Sequence, residues 1–93
     1  MKFAFIIMGD YNSDTDHAEI HGGGAQIIGV SNLDEAMSVA RKLQDSVDCI
    51  ELCGAFGENG AEKIIEATEG RVPIGYVTHL PKQDELFNSV FSE

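Results

Sequence analysis

Glu51 and Cys53 stand two residues apart at the end of the apolar run Cys49-Ile-Glu-Leu-Cys53, and Gly54, Gly57 and Gly60 follow them. A carboxylate among apolar neighbours is held toward its neutral form, so Glu51 reads as a candidate general acid or base. The competing reading is a solvated or salt-bridged carboxylate near a strand end. Cys53 falls where a strand gives way to a helix, and the amides there favour a thiolate, which makes it a candidate nucleophile with His79 as its base. Many small cysteines are simply core, and Cys49, deeper in the run, reads that way. The glycines form G-x-x-G-x-x-G between strand and helix, the setting in which bare amides cradle an anion. Their spacing is not that of a dinucleotide fingerprint, no Lys-Ser/Thr follows, and Glu58 adds negative charge, so a tight structural turn competes with ligand binding. Ser31 and Asn32 offer a second polar pair at a strand end.

A polar insert from Asp10 to Gly24 supplies the other chemically capable side chains. Its first twelve residues, Asp10 to His21, hold four acids, two histidines and no cation, a composition that attracts metal ions. If the segment is extended, His17, Glu19 and His21 point to one side and can hold a divalent ion of the zinc or manganese type, the one cofactor the chain suggests. Asp10-x-Asn12-x-Asp14 opens like a calcium loop, but Thr15 stands where that loop needs glycine and His21 where it needs a bidentate Glu. His17-Ala-Glu19 copies half of the zinc deaminase signature, and Cys49-x-x-x-Cys53 does not supply the other half. Inserts of this kind are most often solvated loops.

The elements that must position these residues follow from periodicity. Phe3 to Met8 is continuously apolar, as in a strand covered on both faces. Ala25 to Val30 is the second strand, Cys49 to Cys53 the third and Val72 to Val77 the fourth, with Pro73 near its start. Ser31-Asn-Leu-Asp34 reads as a capping box opening a helix to about Ser46 along Leu33, Ala36, Met37, Ala40 and Leu43. Ala61, Ile64, Ile65 and Thr68 mark a second helix that Gly70 can close in a left-handed conformation. Asp84 caps a short C-terminal helix whose Leu86, Phe87, Val90 and Phe91 need a surface to bury against. The expectation is one α/β domain over residues 1–93: a four-stranded, mainly parallel sheet with two crossover helices plus the short C-terminal helix. Parallel strands end on one edge, which would gather Glu51, Cys53, His79, Ser31 and the start of the insert.

Sixteen acids against six Lys and Arg give a net charge of −10, which opposes nucleic acid and anionic membrane surfaces as partners. Cys49 and Cys53 are about 13 Å apart if they share a strand, too far for a disulfide, so both read as free thiols. The apolar N-terminal run is too short for a signal-peptide core or a membrane span. Two helices on one face leave the other face of the sheet short of cover, which argues for a homodimer.

The segments Met1 to Gly9, Ile50 to Ala67 and Val72 to Gly75, with the core E-L-C-G-x-F-G-x-x-G-A, resemble a family of small bacterial and archaeal proteins known only as a domain of unknown function. The likeness covers most of the chain and implies a cytoplasmic prokaryotic source, but it carries no activity. Residues 48–70 also resemble single strand-helix units of (β/α) barrels, an analogy of fold alone. Three functions stay open. The first is a binding protein for a small molecule or metal at the carboxyl edge, using Gly54, Gly57, Gly60, Ser31 and Asn32. The second is an enzyme using Glu51, Cys53 and His79 for acid-base or thiol chemistry. The third is a non-catalytic oligomerisation or regulatory module.

Overall fold

A computed structural model describes residues 1–91 of the chain. Its strands are β1 (Phe3–Met8), β2 (His17–Ile20), β3 (Ala25–Val30), β4 (Cys49–Leu52) and β5 (Ile74–Tyr76), and its helices are α1 (Leu33–Leu43), α2 (Gly57–Ala67) and α3 (Asp84–Phe91). Short 3-10 turns at His21–Gly23 and Pro81–Gln83 precede β3 and α3. The sheet order is β2-β3-β1-β4-β5, with β1, β3, β4 and β5 parallel and β2 antiparallel on the outer edge of β3.

The mixed α/β fold and the mainly parallel sheet are as the sequence predicts, but the sheet has five strands and not four. The fifth comes from the insert. His17-Ala-Glu-Ile20 alternates polar and apolar, the pattern of an edge strand, and all four residues are exposed. The rest of the insert is turned on itself. The Asn12 amide donates to Asp16 Oδ2 at 2.8 Å, the Asp14 amide donates to Asn12 Oδ1 at 2.9 Å, and the Asn12 carbonyl accepts from the Thr15 and Asp16 amides. Tyr11 lies against Gly9 and Gly29, where any Cβ would meet its ring within 3 Å.

Both crossover helices connect strands by moving toward the β5 edge. With the near-universal right-handed crossover, α1 and α2 then share one face of the sheet. The burial pattern follows. Ala4, Ile6, Ile28, Val30, Ile50 and Leu52 point to that face and are buried with Ala36, Ala40, Ala61 and Ile64 from the helices. The opposite face carries Phe3, Phe5, Ala25, Ile27, Cys49 and Glu51, with Ala18 and Ile20 from β2. Among the described residues no helix lies over it: Ile20 is 69% and Ile27 47% exposed.

Capping explains where the helices begin and end. Asn32, not Ser31, caps α1: its Oδ1 accepts from the Glu35 amide at 2.8 Å, and Glu35 reaches back to the Ser31 amide at 2.6 Å. The capping box is therefore Asn32-x-x-Glu35, one residue later than Ser31-x-x-Asp34. α1 ends at Leu43, short of Ser46. Two left-handed residues close α2: Glu69, at φ +55°, follows the cap Thr68, and Gly70, the residue expected there, is also left-handed at φ +69° with its amide bonding back to the Ile65 carbonyl.

Candidate functional site

The carboxyl ends of β1, β4 and β5 open onto a groove of about 730 Å³ that α3 walls on its far side. Met8 ends β1, Cys53, Gly54 and Ala55 leave β4, and residues 76–79 leave β5; Phe87, Asn88 and Phe91 come from α3. This is where ligands collect in open α/β sheets, because side chains and amides leave the hydrogen-bonded ladder there. The lining is mostly apolar with a few polar groups at its rim, the usual make-up of a small-molecule site.

Aromatic stacking holds the outer wall. The His79 ring lies 4.0 Å from that of Phe87 and within 4° of parallel, and Phe87 lies 6.0 Å from Phe91. His79 Nε2 meets Asp84 Oδ1, the first residue of α3, at 2.8 Å. The turn at Pro81–Gln83 brings these two groups together, so one imidazole both bonds the Asp84 side chain at the start of α3 and stacks on Phe87; Asp84 is thus the first residue of the helix and bonds His79, where the sequence predicts a cap. On the inner wall Cys53 Sγ accepts the Met8 amide proton at 3.3 Å. Cys53 is thus fixed in the floor, with its sulfur already accepting one hydrogen bond.

Among the residues singled out from the sequence, Cys53, Gly54 and His79 line this groove together. Glu51 does not. It sits on the helix-free face of the sheet, half-buried, in register with Phe5 and Gly75. An alanine Cβ at Gly75 would lie 2.7 Å from Glu51 Oε1, so this glycine makes room for the carboxylate. Cys49 shares that face, and burial, with the carboxylates of Glu51 and Asp48 adding to it, pushes its thiol up. Both cysteines are free thiols.

Gly57 and Gly60 serve geometry. Gly57 holds φ +62° at the opening of α2, and a Cβ at Gly60 would press on Phe56 at 3.1 Å. Ser31 and Asn32 lie beyond the β3 end and are occupied by the cap. Ser31 Oγ donates to Glu35 Oε1 at 2.8 Å.

The insert residues are drawn apart. His17 and Glu19 pair with Ile28 and Gln26 and so share one side of β2, but the strand ends at Ile20. His21, at φ +54°, opens the turn into β3 at the amino edge, the far edge from the groove. Among the described residues, no group of three His, Cys, Asp or Glu lies close enough to hold a metal ion.

Sequence reasoning missed one group near the carboxyl edge and most of the groove's wall. Glu35 binds the insert to the end of β3: its Oε2 accepts from the Ser13 amide at 2.9 Å while Oε1 takes the Ser31 amide. Those amides, Ser31 first and then Ser13, hold its carboxyl down to about 2. The signal was present in the Asn32-x-x-Glu35 spacing. The wall residues Phe87 and Phe91 were visible only as an apolar stripe in want of a partner.

A family model described as a family of unknown function (DUF6506) matches residues 1–92. The chain belongs to DUF6506. No curated protein matches it. DUF6506 membership agrees with the resemblance read from the sequence and assigns no chemistry to the groove. No helix among the described residues is long and apolar enough to cross a membrane.

Proposed function

We propose that this protein binds a small molecule with a flat, largely apolar body in the groove at the carboxyl edge of its sheet. The observation that carries the reading is the groove itself: about 730 Å³, floored by Met8 and Cys53 and walled by the stacked rings of His79, Phe87 and Phe91. A planar ligand extends such a stack, since offset ring pairs add about 0.5 to 1.5 kcal/mol each beyond the area they bury. Tyr76, Thr78, His79 and Asn88, with the Cys53 thiol, are the polar side chains available to orient it. A thiol-dependent enzyme is the second reading, favoured by Cys53 and His79 lining one groove. Glu51 does not line that groove.

Thermal-shift screening against planar heteroaromatic metabolites tests the proposal. A ligand at one hundred times its dissociation constant adds about 2.7 kcal/mol of stability. Phe87→Ala removes the ring that stacks on His79 and Phe91 and should abolish the ligand's shift, with circular dichroism of the unliganded variant checking that the fold is kept. A ligand shift that survives Phe87→Ala, with amide perturbations away from residues 76–79, would place binding elsewhere. The enzyme reading adds one expectation: Cys53→Ser keeps binding and loses turnover of that ligand.

A further inference from the structure

We propose that the helix-free face of the sheet is an isologous dimer interface, covered by the α3 arm of a second copy of this chain. Parallel sheets are covered on both faces, and this one leaves Phe3, Phe5, Ile20 and Ile27 without a partner. The same chain carries an unpartnered helix. No α3 residue is buried, and Leu86 and Val90, beside the stripe that faces the groove, are 62% and 72% exposed.

Charge selects the arrangement. Among the described strand residues Glu51 is the one charged group on that sheet face, and Lys82 lies in the 3-10 turn that opens the α3 arm, four residues before Leu86. Among the described residues neither Glu51 nor Lys82 makes an ion pair. Packing two sheet faces directly together would instead enclose two Glu51 carboxylates in one apolar layer, where like charges repel.

The spacings agree. Glu51, Phe5 and Ile27 form one row across β4, β1 and β3, at intervals of about 4.8 Å. Leu86 and Val90 lie about 6 Å apart along α3, and Lys82 sits in the 3-10 turn that leads into it. With Lys82 over the partner copy's carboxylate, Leu86 falls over the aromatic ring and Val90 over the β3 isoleucine. Two-fold symmetry makes the contact twice. Phe87 and Phe91 stay turned to their own groove, so the dimer also fixes the wall of the ligand site.

Sedimentation equilibrium of the full chain tests this. The wild type should be a dimer, and Leu86→Asp/Val90→Asp, with unchanged circular dichroism, a monomer. Lys82→Glu and Glu51→Lys should each weaken the dimer at least about tenfold, because each sets like charges together at both contacts. Mixed one to one, those two variants should form a heterodimer as tight as the wild type, since each contact then joins opposite charges. A monomeric wild type, a dimer indifferent to Leu86→Asp/Val90→Asp, or a mixture no tighter than its components would overturn the proposal. Should Glu51→Lys not fold, an unweakened Lys82→Glu dimer overturns it equally.

Discussion

Glu35 shows how one side chain can tie two distant pieces of backbone. It joins Ser13 in the insert to Ser31 beyond β3, and the amides that hold its carboxyl down to about 2 set a pH dependence. Its folded value lies below the ordinary 4.5, so its contribution is complete above about 4.5 and is lost as pH falls toward about 2. Urea unfolding of Glu35→Gln against wild type should therefore show a stability gap at pH 7 that narrows as pH falls through about 4.5 and closes only below about 2; a gap independent of pH would refute the assignment. The two thiols make a second residue-level contrast. Cys53 lines the groove, whereas the Cys49 thiol is pushed up by its surroundings. Limited iodoacetamide treatment at neutral pH should label Cys53 ahead of Cys49 by mass spectrometry, and equal labelling would count against the groove's accessibility. At this scale the sequence was legible where a residue's partner is local, as with Gly70. It was opaque for Glu51, whose placement depends on which face of β4 the helices cover.

The elements themselves were more readable than the side chains. β1 is a continuous apolar run, and β3 and β4 carry one strongly polar residue each, Gln26 and Glu51, in otherwise apolar or small-residue segments, so all three could be read from the sequence. β2 escaped because a four-residue edge strand with every residue exposed has no buried face to announce it. Its polar His17 and Glu19 protect the sheet margin, as charged edges do against unwanted pairing. The glycine turn before α2 offers a paired test. Gly57 is left-handed with open space where a Cβ would stand, so Gly57→Ala should cost about 1 to 2 kcal/mol from backbone strain alone. A Cβ at Gly54 would meet only the Val77 carbonyl at an ordinary 3.5 Å, so Gly54→Ala should be nearly neutral. Denaturation midpoints with unchanged m-values would check both, and equal losses would mean that the turn is held by packing and not by φ.

At the scale of the whole molecule, two apolar surfaces without partners frame the functional questions: the groove under α3 and the bare side of the sheet. Composition foretold the second, since two crossover helices cannot cover both faces, yet it could not say that the insert would widen the sheet and not blanket it. The strand order has its own consequence for biosynthesis. The strand made first, β1, lies in the middle of the sheet and pairs with β3 and β4, whose last residue is Leu52. Leaving the ribosome, this central strand must wait, unpaired, for sheet neighbours translated later. Such non-local pairing is slow, and it exposes the emerging polypeptide to misassembly before its centre can close.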